Sequence, residues 1–354
     1  MIPWDGLKVV REMENKMSGI KAVILLSVLI GLPVGANSQV KAPLKLVHSI
    51  ELPDLKDGDF DHFAVDLAGN RLFVTAEENS KVVVFDLKTN KVIKTINDLK
   101  APHSMLLRPD LQKLFVVDSD LGEVKIYNTE TYQPAGTIKV REGADSSGYD
   151  PSTKYLYVVD GGKDAKLPNA YLEILDTNTS KKVGEIEIDS DDVEAMAFDK
   201  DSPRMFVDIR GKSAVEVIDR DKRAIVATWP IEGAKGLTTI AFNAATHRLY
   251  VGSRSAKLYV LDSDSGKTIT SLAAPSMVDD APFDAGQKRI YFAGTLFTDV
   301  FEIKDGDHLE RIAHIPTAFR AKTAILVPEL NRFYLAVPRH GGKPAAIRVY
   351  ETVL

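Results

Sequence analysis

The sequence predicts an all-β fold built from seven copies of one module, and three observations lead to this prediction. A short apolar phrase recurs with starts at Arg71, Lys113, Tyr155, Arg204, Arg248, Arg289 and Arg332. The intervals between these starts are 42, 42, 49, 44, 41 and 43 residues. Around each phrase, apolar and polar residues alternate with period two between turns rich in Asp, Asn, Gly and Pro. A four-stranded repeat of this length is typical of the blade of a β-propeller.

The residue pattern of each module predicts four short antiparallel strands. In the first module, the phrase at residues 71–74 (RLFV) forms one strand, and a second alternation at residues 82–86 (VVVFD) follows about ten residues later. A further short strand follows at residues 92–96 (VIKTI). Helical repeats of similar length would place apolar residues three and four positions apart, a spacing that these modules lack. We therefore predict a seven-bladed β-propeller with four antiparallel strands per blade.

The two ends of the repeat predict how the ring closes. The seventh module, residues 323–354, stops after its third strand and lacks an outer strand. The segment at residues 44–52 (LKLVHSIEL) resembles the outer strands of the other modules and belongs to no module of its own. We predict that this segment completes the seventh blade, because pairing the two ends removes open sheet edges that would template aggregation.

The N-terminal residues resemble a secretory signal. The apolar run at residues 22–35 follows Lys21 and precedes three small residues, Ala36 to Ser38. At 14 residues the run is short for a membrane-spanning helix, which needs about 20 residues. An uncleaved membrane anchor is the alternative. A lipoprotein anchor is excluded because the chain has no cysteine.

The predicted domain organisation follows from that signal. Residues 1–38 form an N-terminal extension and a signal peptide, and residues 39–354 form a single seven-bladed propeller domain. Met17 is a natural start for the signal itself. We expect a periplasmic or secreted protein, without a membrane span after cleavage of the signal and monomeric.

Composition excludes several functional classes. The 354 residues include 45 basic and 50 acidic side chains, and the net charge of -5 argues against a nucleic-acid partner. The absence of cysteine removes disulfides, thiolate metal sites, iron–sulfur clusters, covalent haem attachment and cysteine nucleophiles. A G-x-S-x-G nucleophile motif is also missing, which argues against a serine hydrolase.

The repeated phrase supports a family resemblance. The R-L-Y-V phrase at residues 248–251, together with downstream turns such as V-F-D-L-K-T-N-K at residues 84–91, resembles the YVTN-type (YncE-like) seven-bladed β-propeller repeat proteins of bacteria. The resemblance covers essentially all of residues 39–354. It implies a propeller, usually exported, in a group without an established reaction; some members are associated with surface layers or DNA binding, and the haem d1 propeller of nitrite reductases shares the architecture. No motif here carries over a catalytic residue from that group.

A ring of polar residues is the strongest functional signal. Ten positions before each phrase lie the residues that we call the ring residues: Asp61, His103, Asp145, Glu194, Thr238, Asp279 and Lys322. Equivalent positions of successive blades converge on the central channel, where a rigid scaffold presents variable loops. The four carboxylates of this ring would repel one another unless a cation, a proton or Lys322 intervened. The sequence therefore predicts a polar mouth of the channel.

The predicted ligand-binding set extends the ring with neighbouring charged residues. It comprises Asp61, His62, His103, Asp145, Glu194, Asp279, Asp280, Arg320, Lys322, Arg339 and His340. If the arginines and lysines of the inner loops, Arg210 and Arg254 among them, share the mouth, one half of it is basic and the other acidic, which favours a polar or zwitterionic small ligand, a sugar acid or a peptide. Two alternatives stay open: the ring residues cap inter-blade turns, or the loop charges are simply solvated.

A metal site built from part of the same ring is an alternative interpretation. Carboxylates and an imidazole near one axis, here Asp61, His103, Asp145 and Glu194, can bind Ca²⁺, Mg²⁺ or Zn²⁺. Such an ion would support a lyase or hydrolase reaction. Asp61 and His62 themselves are not expected to form a dyad, because adjacent residues on a strand point to opposite faces.

The leading functional prediction is an exported binding module without a catalytic residue, whose partner is a polar small molecule, a protein or a peptide. The alternatives are the metal-dependent enzyme and a structural scaffold at the cell surface that acts through its side faces. No firm cofactor is predicted.

Overall fold

The computed structural model describes residues 42–353, which form seven four-stranded antiparallel sheets. The predicted extension and signal at residues 1–38 lie outside the described residues. In every sheet the strands are hydrogen-bonded in order from the inner to the outer strand. This arrangement confirms the predicted all-β, seven-bladed propeller.

The blades are numbered along the chain. The inner strands are β2 (Phe63–Asp66), β6 (Pro102–Arg108), β10 (Ser147–Asp150), β14 (Met196–Phe198), β18 (Leu237–Asn243), β22 (Phe283–Asp284) and β26 (Ala324–Val327). The second strands are β3 (Arg71–Ala76), β7 (Lys113–Asp118), β11 (Tyr155–Gly161), β15 (Arg204–Ile209), β19 (Arg248–Ser253), β23 (Arg289–Ala293) and β27 (Arg332–Val337).

The two remaining strands of each blade lie farther from the channel. The third strands are β4 (Lys81–Asp86), β8 (Glu123–Asn128), β12 (Ala170–Asp176), β16 (Ala214–Asp219), β20 (Lys257–Asp262), β24 (Phe297–Ile303) and β28 (Ala345–Thr352). The outer strands are β5 (Lys91–Ile96), β9 (Pro134–Lys139), β13 (Lys181–Ile188), β17 (Ala224–Pro230), β21 (Thr268–Ala273), β25 (Leu309–Pro316) and β1 (Leu44–Leu52).

The seventh blade joins the two ends of the propeller. Strand β1 pairs antiparallel with β28, with Ile50 opposite Ile347 and Leu52 opposite Ala345. The predicted closure by residues 44–52 is therefore confirmed, with the same bounds.

The recurring phrase forms the buried second strand of each blade. In blade 1, Leu72, Phe73 and Val74 have no exposed surface. Both faces of this strand are covered, because Leu72 and Val74 pack with Tyr334 of blade 7 in one apolar cluster while Phe73 packs in the cluster shared with blade 2. Burying each such side chain contributes about 1.5–3 kcal/mol, so contacts between blades hold the ring together.

Turns provide the remaining regular structure. The described residues include four short 3₁₀ helices, at Glu77–Asn79, Pro109–Leu111, Arg210–Lys212 and Pro328–Leu330. Hairpins between the third and outer strands are closed by side-chain oxygens such as Asp86 Oδ1, which accepts the Thr89 N–H at 2.7 Å. In the part of the chain that the structure describes, no helix is long and apolar enough to cross a membrane.

Strand direction determines where functional side chains gather. The inner strand of each blade starts at one mouth of the channel, and the loop between the second and third strands returns to the same mouth because consecutive strands are antiparallel. Fourteen segments of the chain therefore meet there, and the ring residues stand in seven of them.

Candidate functional site

A cavity of about 680 Å³ opens at this mouth, and we call it the mouth cavity. All seven ring residues line it, from Asp61 of blade 1 to Lys322 of blade 7. The complete lining, ring residues included, contains eight carboxylates and six basic side chains, of which two are histidines. The geometric convergence that the sequence analysis expected is present, and the volume is within the range of small-molecule sites.

The imidazole of His103 lies at the centre of the acidic side of the mouth cavity. Its Nδ1 lies 3.0 Å from Asp61 Oδ2 and 3.1 Å from Asp145 Oδ1. Its Nε2 lies 3.7 Å from Glu77 Oε1. One imidazole thus contacts carboxylates of blades 1 and 3, on either side of its own blade.

These carboxylates keep His103 protonated. Burial alone would lower the pKa of His103, but the charges of Asp145 and Asp61 outweigh it and raise the pKa to about 12. Burial likewise favours a high pKa for Asp61 and Asp145, and the neighbouring imidazolium groups reverse the effect, so both pKa values are lowered. For Glu77, burial prevails over His103 and raises the pKa to about 7.

His62 forms a second cationic centre in the mouth cavity. Its Nδ1 lies 3.5 Å from Asp280 Oδ1, and its Nε2 lies 3.7 Å from Asp61 Oδ2. Burial opposes protonation, but these two carboxylates raise the pKa of His62 to about 10. The expectation that the side chains of Asp61 and His62 point to opposite faces is wrong. Both residues precede β2 (Phe63–Asp66), so the alternating side-chain directions of a strand do not apply to them.

Opposite charges are interleaved around the ring. Lys322 Nζ lies 2.5 Å from Asp279 Oδ2, and burial is outweighed by Asp279, so the pKa of Lys322 is raised. On the far side, the guanidinium of Arg210 pairs with Glu194. Each of the four ring carboxylates therefore has a cation beside it, so the acidic side of the cavity also carries positive charge.

The turn-capping alternative describes only part of the set. Asp280 Oδ2 accepts the Ala324 N–H at 2.7 Å, which ties blade 6 to blade 7. Ser104 and Thr323 similarly donate from their hydroxyls to carbonyls of neighbouring blades. The four carboxylates of the ring accept no hydrogen bond from a backbone N–H of residues 42–353 and face side chains instead.

Three residues of the predicted ligand set lie outside the lining. Arg339 donates to the carbonyls of Leu55 and Pro53, so it fixes the connection from β1 to β2. Arg320 contacts Asp59 Oδ1 at 2.9 Å, and the ring of His340 lies 4.6 Å from that of Phe319. These three side chains lie outside the lining of the mouth cavity and contact backbone carbonyls or neighbouring side chains instead.

Sequence reasoning left Glu77 out of the predicted site and considered Arg210 and Arg254 only as basic residues that would share the mouth. A positional signal existed, because each lies six residues after the start of its phrase, at Arg71, Arg204 and Arg248. The lining residue Asp59 had no such signal.

The candidate metal ligands also differ from the expected set. One ligand atom each from Asp61, Glu77 and His103 can be chosen so that all lie within 4.8 Å of one another. Glu194 is instead neutralised by Arg210. A metal at this position would need His103 to lose its proton first.

Comparisons with known proteins agree with the fold. No protein-family model matches the chain. Two curated relatives, each described as "Uncharacterized protein YncE" and found in Salmonella typhimurium and Salmonella typhi, are 28% identical over 109 residues, which is 30% of this chain. The match spans 30% of the length of each relative.

Solved structures extend the comparison to the whole ring. A chain of the Kuenenia stuttgartiensis hydrazine synthase superposes with a TM-score of 0.68 at 16% identity and covers 80% of this chain and 93% of that chain. A chain of a mitotic checkpoint complex gives 0.71 at 13% identity, covering 94% and 99%. At these identities the structures show a shared fold alone. The chain is thus a seven-bladed β-propeller that is similar to the YncE proteins over 109 residues.

Proposed function

We propose that this propeller is a binding module that holds a polar small ligand in its mouth cavity. The observation that carries the proposal is that charged side chains from all seven blades line one cavity of about 680 Å³. The ring carboxylates pair with cationic side chains and not with the backbone, so a charged ligand can exchange for one of these partners.

The acidic side of the cavity offers a second candidate function, a metal-dependent reaction. Its support is the close approach of Asp61, Glu77 and His103. In the described structure the protonated imidazole already supplies the positive charge that these carboxylates need. The binding module therefore requires fewer rearrangements, and metal analysis of purified protein before and after chelation separates the two. A stoichiometric ion that survives dialysis would favour the enzyme.

Export through an N-terminal signal is part of the same proposal. It is supported by the order of charge, apolar run and small residues at positions 21–38. Determining the N-terminal residue of the protein recovered from a periplasmic fraction tests it. Mature chains that start close to residue 37 or 39 support export, and an intact N-terminus in the cytoplasmic fraction contradicts it.

A thermal-shift screen with polar metabolites tests the binding function. A ligand that binds only the native state raises the melting temperature by mass action. We expect Asp145→Asn to reduce the shift of any true ligand, because Asp145 lies in the cavity beside His103. Asp221→Asn is the matched control, since Asp221 is exposed in a hairpin between β16 and β17, away from the mouth. A screen in which every shift is equal in wild type and Asp145→Asn contradicts binding at this site.

A further inference from the structure

Two arginines stand side by side in the mouth cavity. Arg210 and Arg254 each lie six residues after the start of their phrase, in the inner loops of blades 4 and 5. Both line the cavity. Adjacent blades thus present guanidinium groups at equivalent positions, where blades 2 and 3 carry Ser119 and Gly161.

Arg210 is held firmly in place. Its Nε donates to the Leu237 carbonyl at 3.3 Å, and its Nη1 lies 3.4 Å from Asp192 Oδ1. The guanidinium also pairs with Glu194, and the side chain is only 11% exposed. A cation fixed by three groups keeps its orientation when a ligand enters, which lowers the entropy cost of binding.

Arg254 is placed by its backbone and has no anionic partner in the part of the chain that the structure describes. Its N–H donates to the Gly236 carbonyl at 2.7 Å, and its Cβ packs 3.4 Å from the position that a side chain on Gly236 would take. Among residues 42–353, no carboxylate oxygen lies within 4.0 Å of its guanidinium. Burial lowers the pKa of Arg210, and the positive charge of Arg254 lowers it further, because the two cations repel each other.

We propose that Arg210 and Arg254 form the subsite for the carboxylate of a zwitterionic ligand, an inference that rests on the proposed binding function. A carboxylate bridging two guanidiniums accepts charge-assisted hydrogen bonds and removes their repulsion. Blade 1 lies opposite the boundary of blades 4 and 5 in a closed ring of seven, and its residue at the equivalent position is Glu77. The ligand's ammonium group faces this acidic side.

The charge of the cavity favours a ligand that carries one negative and one positive group. Eight carboxylates and six basic groups line the site, so a dianion such as phosphate would add to a surplus of negative charge. A zwitterion leaves the net charge unchanged and satisfies both sides. The inferred ligand class is therefore an amino carboxylate.

Calorimetric titration of the full chain with a series of ω-amino carboxylates, from glycine to 8-aminooctanoate, tests the subsite at every charge separation. Acetate and 1-aminohexane serve as probes of one charge each. We expect Arg254→Gln to weaken the best amino carboxylate by about tenfold to a hundredfold, the usual effect of losing a charged hydrogen bond. Binding of 1-aminohexane should be unchanged.

Arg332→Gln is the matched control, because Arg332 starts β27 at the opposite end of the blade and pairs with Glu351 at 3.7 Å. Thermal unfolding without ligand should be unchanged or raised in Arg254→Gln, since one uncompensated cation is removed. Equal affinity of wild type and Arg254→Gln for an amino carboxylate overturns the carboxylate subsite but leaves the binding function in place. Failure of the whole series, acetate and the amine to bind wild type, combined with a screen without hits, overturns both.

Discussion

The Nδ1 of His103 donates to Asp61 Oδ2 across 3.0 Å, and this contact joins blade 2 to blade 1 inside the mouth cavity. The same nitrogen lies 3.1 Å from Asp145 Oδ1 of blade 3. One imidazolium thus links three consecutive blades and also neutralises carboxylates that would otherwise repel each other. Site chemistry and ring stability depend on the same side chain.

Replacement of His103 should therefore destabilise the propeller. In His103→Gln the buried carboxylate of Asp61 and the half-buried carboxylate of Asp145 lose their cation, which costs about 2–4 kcal/mol of unfolding free energy. Urea denaturation measures it. The control His48→Gln changes an exposed residue of β1 and should stay within about 0.5 kcal/mol of wild type. Equal effects of the two substitutions would contradict a stabilising role of the imidazolium.

Stability should fall at alkaline pH because of the two buried imidazoles. The pKa values of His62 and His103 are raised to about 10 and about 12, so the folded state holds protons that the unfolded state releases near pH 6.5. Their stabilisation is complete below pH 6.5 and is lost as the pH rises through the folded-state values. Each proton contributes a slope of about 1.4 kcal/mol per pH unit.

Urea denaturation between pH 8.5 and 10 measures this slope. The double variant His62→Gln, His103→Gln should show a flatter dependence than wild type in that range. Parallel curves for the two proteins would mean that the imidazoles are not the groups that titrate.

Ionisation of Asp208 should also lower the free energy of unfolding at high pH, independently of the two imidazoles. The residue is fully buried in β15, where Oδ1 accepts the Ala195 N–H at 2.9 Å and burial raises its pKa to about 8. A carboxyl whose pKa is raised in the folded state contributes stability that is complete below the unfolded-state value of 3.8 and is lost as the pH rises to about 8. Asp208→Asn keeps the shape without the charge.

We expect the unfolding free energy of Asp208→Asn to exceed that of wild type by more at pH 9 than at pH 6, because wild type loses stability between these two values. The exposed change Asp221→Asn should follow the wild-type curve at both values. A loss of stability at pH 9 in Asp208→Asn would show that the carboxylate is compensated in some other way.

Much of this architecture follows from the sequence, and the reason is local. Period-two alternation and turn residues specify each strand, and a repeat period specifies the blade; even the closing strand, Leu44–Leu52, stands out because it resembles an outer strand without a module. Convergence of the ring residues then follows from equivalence of position. The strands need only neighbours along the chain, and the blades and the closing strand need only a comparison between repeats.

The pairing within the site could not be predicted in the same way. Whether His103 turns toward Asp61 and Asp145, or Arg339 toward the carbonyl of Leu55, depends on side-chain rotamers and on contacts across blades. Such choices are made by competition among several charges at similar distances. Sequence spacing brings the candidates together, and burial and geometry decide which of them pair.

The loop of blade 3 provides the last test, through its glycines. Gly162 has a φ of +61°, and a Cβ there would lie 2.3 Å from the Asp191 carbonyl oxygen. Gly162→Ala should cost about 3 kcal/mol, from both backbone strain and the displaced carbonyl. The adjacent Lys163 lines the mouth cavity and lies 2.7 Å from Asp192, so displacement of the loop should also weaken ligand binding.

Gly341→Ala isolates the backbone contribution. Gly341 has a similar φ of +57°, but no atom lies within 4 Å of the position of a Cβ. Its substitution should cost about 1 kcal/mol and leave ligand affinity unchanged, because residue 341 lies outside the cavity lining. If both variants lose the same unfolding free energy, the contact with Asp191 carries no cost and the loop of blade 3 yields freely. In that event Lys163 is not held in position by the fold, and the ligand itself would have to order this side of the mouth.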